Sequence, residues 1–453
     1  MLYDICIHTP LFFFLLNNCA QGTIIHKNAT RSNISSYKDY DDNVGNTPIP
    51  SWILDYVDRH NQATQSINDG DNTSHYKYLI YKCEQDCRGL GDRLNGMIEL
   101  FYIALVTNRI FLISYNYKKQ VTLMDTFDEH LILWNTKPKR LGGLLTTSLR
   151  RKNKFIKSLD KLVPELLEPS LLPRYVKTIT VSCNTWDPVN LWNSKSMQNY
   201  LAVHDIDIAI DPKELQQQPP EHLYQWAFDL LFRKSADLQR NIDLVKRDQL
   251  RIGQNEPYVG IHMRLGNKST KWKDPERHSI SDTDKFLECG RKMQSILSGN
   301  GSRNTTGSAT AVNDNSSSTM DGLEGLKSST PHDTGNLVPI LYVASDSNEA
   351  KKLVQSKDST VRTAALEVFH IDRSNAQSRS EAYGGNIAAW TEFMLLAEAD
   401  CIVASRSGFS EAAVRISLKN ENFDRCYAYF YECTTMEDIR NHSPAVIATS
   451  TAI

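Results

Sequence analysis

The chain has 453 residues, 40% of them hydrophobic and 23% charged, with a net charge of −2. That length holds two or three domains and a large core. The near-neutral balance excludes bulk nucleic-acid binding and a polybasic membrane surface, so any anion site must be local.

The chain opens MLYDICIHTPLFFFLLNNCAQG, whose apolar centre, Leu11 to Leu16, is far short of the roughly 20 residues that span a bilayer. It fits the apolar region of a signal or short anchor over residues 1–20, although Asp4 precedes the run and no Lys or Arg does. Residues 21–75 are polar and read as a stem with one short helix, Trp52 to Val57. Eight Asn-X-Ser/Thr sequons, at Asn28, Asn33, Asn72, Asn267, Asn300, Asn304, Asn315 and Asn441, suit a glycosylated chain in the lumen of the secretory pathway. After the signal, seven cysteines remain (83, 87, 183, 289, 401, 426 and 433). Cys83 and Cys87 lack a second Cys/His pair at zinc spacing, so disulfides or buried thiols are expected.

Order is predicted to begin at Tyr76–Lys82, an alternating strand. A Gly-broken loop follows, then a helix whose apolar residues Leu94, Met97, Ile98, Phe101 and Leu105 share one face. A strand at Arg109–Ile113 completes a βαβ unit, which implies a parallel sheet. A strand in ITVSCNTW and a long helix from Tyr224 to Leu250 close a first α/β half, residues 76–250. The second half, 251–435, opens with YVGIHMRLGN and continues with a helix at Thr283–Leu297 and a strand at Pro339–Ala344. EVFHIDR, a helix from Ile387 to Ala399, the strand Cys401–Ser405 and a helix from Ser410 complete it. Residues 298–337 are too poor in apolar side chains to repay their ordering entropy and read as a disordered insertion; 436–453 is a tail.

Three loops after strands carry chemistry. CRGLGDRLNG supplies Gly89 and Gly91 for close backbone approach, then a helix N-terminus suited to an anion, with Asp92 and Arg93 as candidate nucleotide-binding residues or, in the bland alternative, Asp92 as only the N-cap. YVGIHMRLGN drives a buried strand into His262 and Arg264, which is how an α/β sheet meets an anion at its carboxyl edge. The bland alternative is an edge strand whose arginine reaches water. SRSGFSEAAVRI offers Ser407, Gly408, Phe409 and Ser410 as hydroxyl and backbone donors before a helix, or an ordinary capped helix after a tight turn. A fourth loop, ASDSNEAK, places Asp346 on the same edge to accept from a base or ribose. Together they describe a nucleotide-diphosphate site without the Lys-Ser/Thr phosphate loop of NTPases. The Asp-X-Asp pairs Asp39/Asp41, Asp205/Asp207 and Asp282/Asp284 read as solvated surface or caps, so no metal is expected and Arg264 with helix termini would neutralise a leaving diphosphate.

GLGDRLNG with ELFYIALVTNRIFLI, IHMRLGN, LYVASDSNEAKKL, SRSGFSEAA and FDLLFRKSADLQ resemble, in order, the motifs of the α1,2-, α1,6- and protein-O-fucosyltransferase superfamily. The resemblance implies a GT-B-like α/β fold, two Rossmann-like parallel-sheet domains facing a cleft. It also implies GDP-fucose as donor, inversion, no required metal, and a glycan or glycoprotein acceptor. Arg264 would hold the donor diphosphate and His262 would order its loop, while Asp346 and Ser407 to Ser410 would line the nucleotide pocket. The chain departs from the family pattern at Leu265, where many members carry a second arginine, and at Asn267, which starts a sequon. Those departures favour a rival reading, a catalytically silent lumenal or secreted binding protein on the same scaffold. A nucleotide-sulfate-dependent sulfotransferase would want Lys-Ser/Thr after the first strand, which CRGLGDR lacks. For the general base, KWKDPERHS offers Asp274, Glu276 and His278, with Glu276 preferred by position.

Overall fold

A computed structural model describes residues 51–71, 76–83, 89–106, 108–117, 121–136, 146–148, 178–181, 221–253, 256–266, 276–298, 338–366, 378–417, 427–429 and 433–435. All lie in the compact unit Thr47–Ile453. The signal segment, the polar insertion, the EVFHIDR strand, Asp274, Asn267 and the tail fall outside the described residues.

The first sheet is built around β1 (Tyr78–Cys83). After β1 come α2 (Leu90–Val106), β2 (Ile110–Tyr117), β3 (Val121–Thr122), β5 (Thr146–Ser148) and β6 (Thr178–Val181), giving the order β3-β2-β1-β6-β5. β2 and β6 flank β1 in parallel, Tyr78 opposite both Ile110 and Thr178. Helix α1 (Ser51–Asp69) precedes this sheet and packs on it, against the expectation of a short helix within a polar stem. Its Ile53, Tyr56, Val57, His60 and Ala63 are buried, at helical spacing. The reason is an open strand edge: β3 covers only the end of β2, at Asn116 and Tyr117. Further back, Phe111 N–H donates to Tyr56 Oη (3.2 Å) and His60 Nε2 donates to the Phe111 carbonyl (2.7 Å). Side chains of α1 therefore satisfy backbone groups of Phe111 that no strand among the described residues pairs. Burial pushes the His60 imidazole down to about 4, the Phe111 carbonyl opposing it.

The predicted helix from Tyr224 to Leu250 is several elements. α3 (Glu221–Leu231) ends in β7 (Phe232–Lys234), which pairs antiparallel with β4 (Phe127–Glu129). Then α4 (Ala236–Leu244) runs into a π-helical turn, Val245–Leu250, stopped by Arg251 at φ +55°. Ser235 makes the break: its extended backbone lets Oγ accept from Leu238 N–H (3.3 Å), restarting the helix. Phe127, Phe228 and Phe232 pack edge-on or tilted at 5.4–5.8 Å and bury the bend.

The second sheet has β8 (Tyr258–Met263) at its centre, with β9 (Ile340–Ser345), β10 (Val361–Arg362), β11 (Cys401–Ala404), β12 (Tyr427–Tyr429) and β13 (Thr434–Thr435) in the order β10-β9-β8-β11-β12-β13. β9 and β11 run parallel to β8 on either side. Val259, Ile261, Met263 and Leu265 alternate into a core with Phe286, Leu287 and Met293 of α5 (Thr283–Leu297). Gly260 faces the other way, where a Cβ would sit 3.0 Å from Ala399 and 3.2 Å from Leu396, past the end of α7 (Arg379–Ala397) and within it. α6 (Asn348–Lys357) follows β9, and α8 (Gly408–Arg415) follows β11. α7 begins eight residues before the expected Ile387 because Ser378 caps it, Oγ accepting from Glu381 N–H at 3.1 Å. Cys289 on α5 and Cys433 before β13 form a disulfide, and Cys83 and Cys401 are also disulfide-bonded.

Candidate active site

The order of the second sheet reverses at β8, since β9 lies on one side and β11 on the other. Crevices for ligands open at such switch points, beyond the carboxyl ends of the strands. Arg264 is the first residue past β8 and Asp346 the first past β9. Asp346 Oδ1 accepts from Leu265 N–H (2.9 Å) and Oδ2 from Gly266 N–H (3.0 Å). Arg264 Nε lies 3.4 Å from Oδ2. The carboxylate thus builds the turn after β8 and orients the guanidinium, with the Arg264 side chain 16% exposed. Gly266 takes φ +81°, which explains a glycine at that point. Leu265, 4% exposed, belongs to the core side of the β8 alternation.

His262 points to the opposite side of β8 from Leu265. Its Nδ1 is 2.9 Å from Ser405 Oγ, and its ring lies against Phe409 with centroids 5.0 Å apart. Burial chiefly, then Arg264 and His278, push this imidazole down to about 3, so it is neutral and joins the second loop to the third. Ser407 caps α8, its Oγ accepting from Phe409 N–H at 3.3 Å. The helix therefore starts at Gly408 rather than at Ser410. Ser410 is fully buried and donates its hydroxyl to the Ser405 carbonyl (2.8 Å), bracing the turn from within.

The first loop meets the third directly. A Cβ on Gly91 would fall 1.9 Å from the Gly408 carbonyl oxygen and 2.7 Å from Phe409 N. The first turns of α2 and α8 touch there, and only a glycine permits it. A Cβ on Gly408 would in turn sit 3.2 Å from Asp92 Oδ1. Asp92 is not the N-cap of the bland alternative: Gly89 O accepts from Arg93 N–H (3.1 Å), so the helix starts at Leu90 and Asp92 lies in its first turn. There the carboxylate favours the positive helix end. Arg93 turns inward, 2% exposed, with Nη1 donating to Tyr115 Oη at 2.7 Å.

The segment after the Arg264 loop returns to it. Leu265 O accepts from Arg277 N–H (2.8 Å) and from His278 N–H (3.3 Å). Glu276 is exposed at this lip, whereas His278 is 7% exposed. Arg406, exposed between the two serines of the third loop, lies close enough to act electrostatically on His278. Sequence reading passed over Arg406, although a cation just past a strand end is the signal that singled out Arg264. Asp282 and Asp284 pair with Lys285 (3.1 Å) and Lys357 (2.6 Å), and the other two Asp-X-Asp pairs lie outside the described residues.

Two Rossmann-like α/β halves, meeting through the helix starts that follow their strands, define a GT-B-like fold. No protein-family model matches the chain, and no curated protein matches it. Among solved structures it is similar to an Arabidopsis thaliana FUT1 mutant in complex with GDP, at 15% identity over 81% of this chain and 77% of that one, TM-score 0.48. It is also similar to NodZ α-1,6-fucosyltransferase soaked with GDP-fucose, at 13% identity over 75% of this chain and 92% of that one, TM-score 0.41. A further structure, fucosyltransferase NodZ from Bradyrhizobium, matches at 13% identity and TM-score 0.39, over the same shares.

Proposed function

We propose that the chain is a metal-independent inverting glycosyltransferase that moves fucose from GDP-fucose to a hydroxyl of a glycan or glycoprotein. The observation that carries this reading is the Arg264 guanidinium, held on Asp346 at the switch point of the second sheet. The motif order read from the sequence supplies the donor's identity.

In this reading the diphosphate lies between Arg264 and the starts of α2 and α8. Asp346 meets Arg264 at Nε and so orients the guanidinium that this reading sets against phosphate oxygens. Glu276, at the lip, takes the proton of the acceptor hydroxyl as its oxygen attacks the sugar's anomeric carbon. The bond to the diphosphate breaks on the opposite face, so the configuration inverts and GDP departs with its charge met by protein. Backbone N–H groups at Gly89, Gly91 and Gly408 suit the phosphates, and Ser407 with Asp346 borders the nucleotide end.

The test is a screen of sugar nucleotides with the full chain, with and without EDTA. Transfer or hydrolysis with GDP-fucose, unchanged by EDTA, is the expected result; dependence on a divalent ion overturns the metal-independent mechanism. The second reading, a silent binding protein, draws on Leu265 being a core residue instead of a second cation. Tight GDP binding without turnover for any donor or acceptor would favour it. We place the protein in the lumen of the secretory pathway, as glycosylation sequons along the chain suggest; an endoglycosidase-sensitive mass in eukaryotic expression tests this.

A further inference from the structure

A cavity of about 250 Å³ lies between α4 and α7, apart from the loops that follow the strands. Leu244, Ile387 and Tyr383 give it apolar surface, and Asp237, Arg240 and Asn241 give it polar groups. Asp237 organises one wall: Oδ2 accepts from Tyr383 Oη (2.5 Å) and Oδ1 from Arg240 Nη1 (2.9 Å). Asn241 Nδ2 donates to Thr391 Oγ1 (2.8 Å), whose own proton goes to the Ile387 carbonyl (2.8 Å). That order fixes the amide, and no described residue hydrogen-bonds to Asn241 Oδ1. Gly384 stands at the rim, next to Tyr383 and one turn before Ile387. Glycine is costly inside a helix, yet a Cβ at this position would meet nothing within 4 Å. The packing of the chain therefore gives no reason for it. α7 ends beside the start of β8, where Asp400 N–H donates to the Tyr258 carbonyl (3.0 Å). The first turns of α7 thus lie towards the carboxyl edge of the sheet. They also border the first half, where Asn386 Nδ2 donates to Thr126 Oγ1 (2.5 Å).

We propose that this cavity is a subsite for one neutral sugar ring of the acceptor glycan, remote from the reacting hydroxyl. The inference deepens the transferase reading above and rests on it. Asp237 and Arg240 pair their charges, so the cavity presents no net charge to select an ion. Sugar hydroxyls both donate and accept; here a carboxylate and an amide carbonyl accept, while the guanidinium donates. The carbon-bound hydrogens of the ring need apolar surface beside those groups, which Tyr383, Ile387 and Leu244 supply. Sites that enclose drug-sized ligands run to about 300–1,000 Å³. This one is smaller, which suits a single ring.

The test fills the rim. Gly384→Leu places a side chain where the protein has no atoms, and leucine is the better helix former, so the chain keeps its stability. The probes are a panel of neutral N-linked and O-linked oligosaccharides, offered as acceptors with GDP-fucose and, without donor, as an immobilised array. Loss of two hydrogen bonds and a ring contact predicts an acceptor KM about ten- to hundredfold higher in Gly384→Leu. Uniform binding is what is lost, so kcat and the GDP-fucose KM should stay unchanged. Asp237→Ala, at an exposed position, should raise the acceptor KM about three- to tenfold. An acceptor KM unchanged in Gly384→Leu, or a rise shared by GDP-fucose, overturns the subsite. Transfer to a glycan-free protein alone keeps the transferase reading and overturns the subsite. A parent that transfers to nothing yet binds the array, with binding lost in Gly384→Leu, overturns the transferase reading and keeps the sugar site. A parent that neither transfers nor binds the array overturns both.

Discussion

Both halves of the molecule set a central strand, β1 or β8, between parallel neighbours, and both follow it with an arginine. In the first half Arg93 lies one turn into α2, is buried, and is engaged by Tyr115. In the second half Arg264 stands at the strand end on a carboxylate that also builds the turn. Topology gives each half a switch point, so the location of a crevice does not distinguish them. What distinguishes them is where the cation's guanidinium is tethered: within the core in one case, at the strand end in the other. The first half contributes a glycine surface and a helix end; the second contributes charge.

The sharpest way to break this asymmetry is Arg264→Ala. Loss of a preorganised charge at a leaving group predicts a fall in turnover of about a hundred- to thousandfold, read with GDP-fucose. Arg264→Lys keeps the charge near Asp346 and should fold normally while recovering little activity, because an ammonium lacks the planar fork. Full turnover in either variant would move the anion site elsewhere.

The contact between the halves is tested next. Gly91→Ala forces a methyl onto the Gly408 backbone, which cannot rotate away, so a loss of about 3 kcal/mol or more is expected in chemical denaturation. Gly89→Ala is the control: the nearest atom to its Cβ is Asp92 Oδ2 at 3.7 Å, ordinary contact. Equal stability of the two variants would mean that the halves do not touch there. Smaller again is Asp346→Asn, which sets one amide N–H against a backbone N–H and removes the charge beside Arg264. It should cost about 2 kcal/mol of stability and weaken GDP binding together, since one group serves both turn and cation.

The gentlest probe is pH. His60 in the first half and His262 in the second are both held neutral, at about 4 and about 3. Unfolding frees each to bind a proton below its ordinary value near 6.5, so their contribution is complete above that pH and is lost as pH falls through 6.5 towards 4 and 3. The expected slope is about 1 kcal/mol per pH unit for each histidine in that window. His60→Gln should remove its share of the slope while leaving the share of His262; an unchanged slope would place His60 in contact with water.

The carboxyl edge of the second sheet was legible because β8, β9 and β11 are buried apolar runs that stop at polar residues, a pattern local to each run. The helix Thr283–Leu297 was legible for the same reason, its apolar stripe repeating at helical spacing. Other elements were hidden. α1 looks polar in sequence, and its burial depends on the unpaired edge of β2, fifty residues on. The break at Phe232–Lys234 was masked by good helix formers on both sides and is decided by pairing with Phe127–Glu129. α7 extends back to Arg379 through two glycines, held by the buried Ala382 and by Asn386 Nδ2 donating to Thr126 Oγ1 at 2.5 Å.

By itself the sequence determined that two α/β halves exist, where their strands stop, and which residue types stand at those stops, because strand periodicity and turn chemistry act over a few residues. Only the tertiary structure decided what each of those residues touches. Asp346 bends inward to make a turn, Arg93 sinks while Arg264 does not, Leu265 enters the core, and Gly91 rests on Gly408. Such partners come from strands and helices far apart in the chain, and burial and charge pairing are settled only when those elements pack.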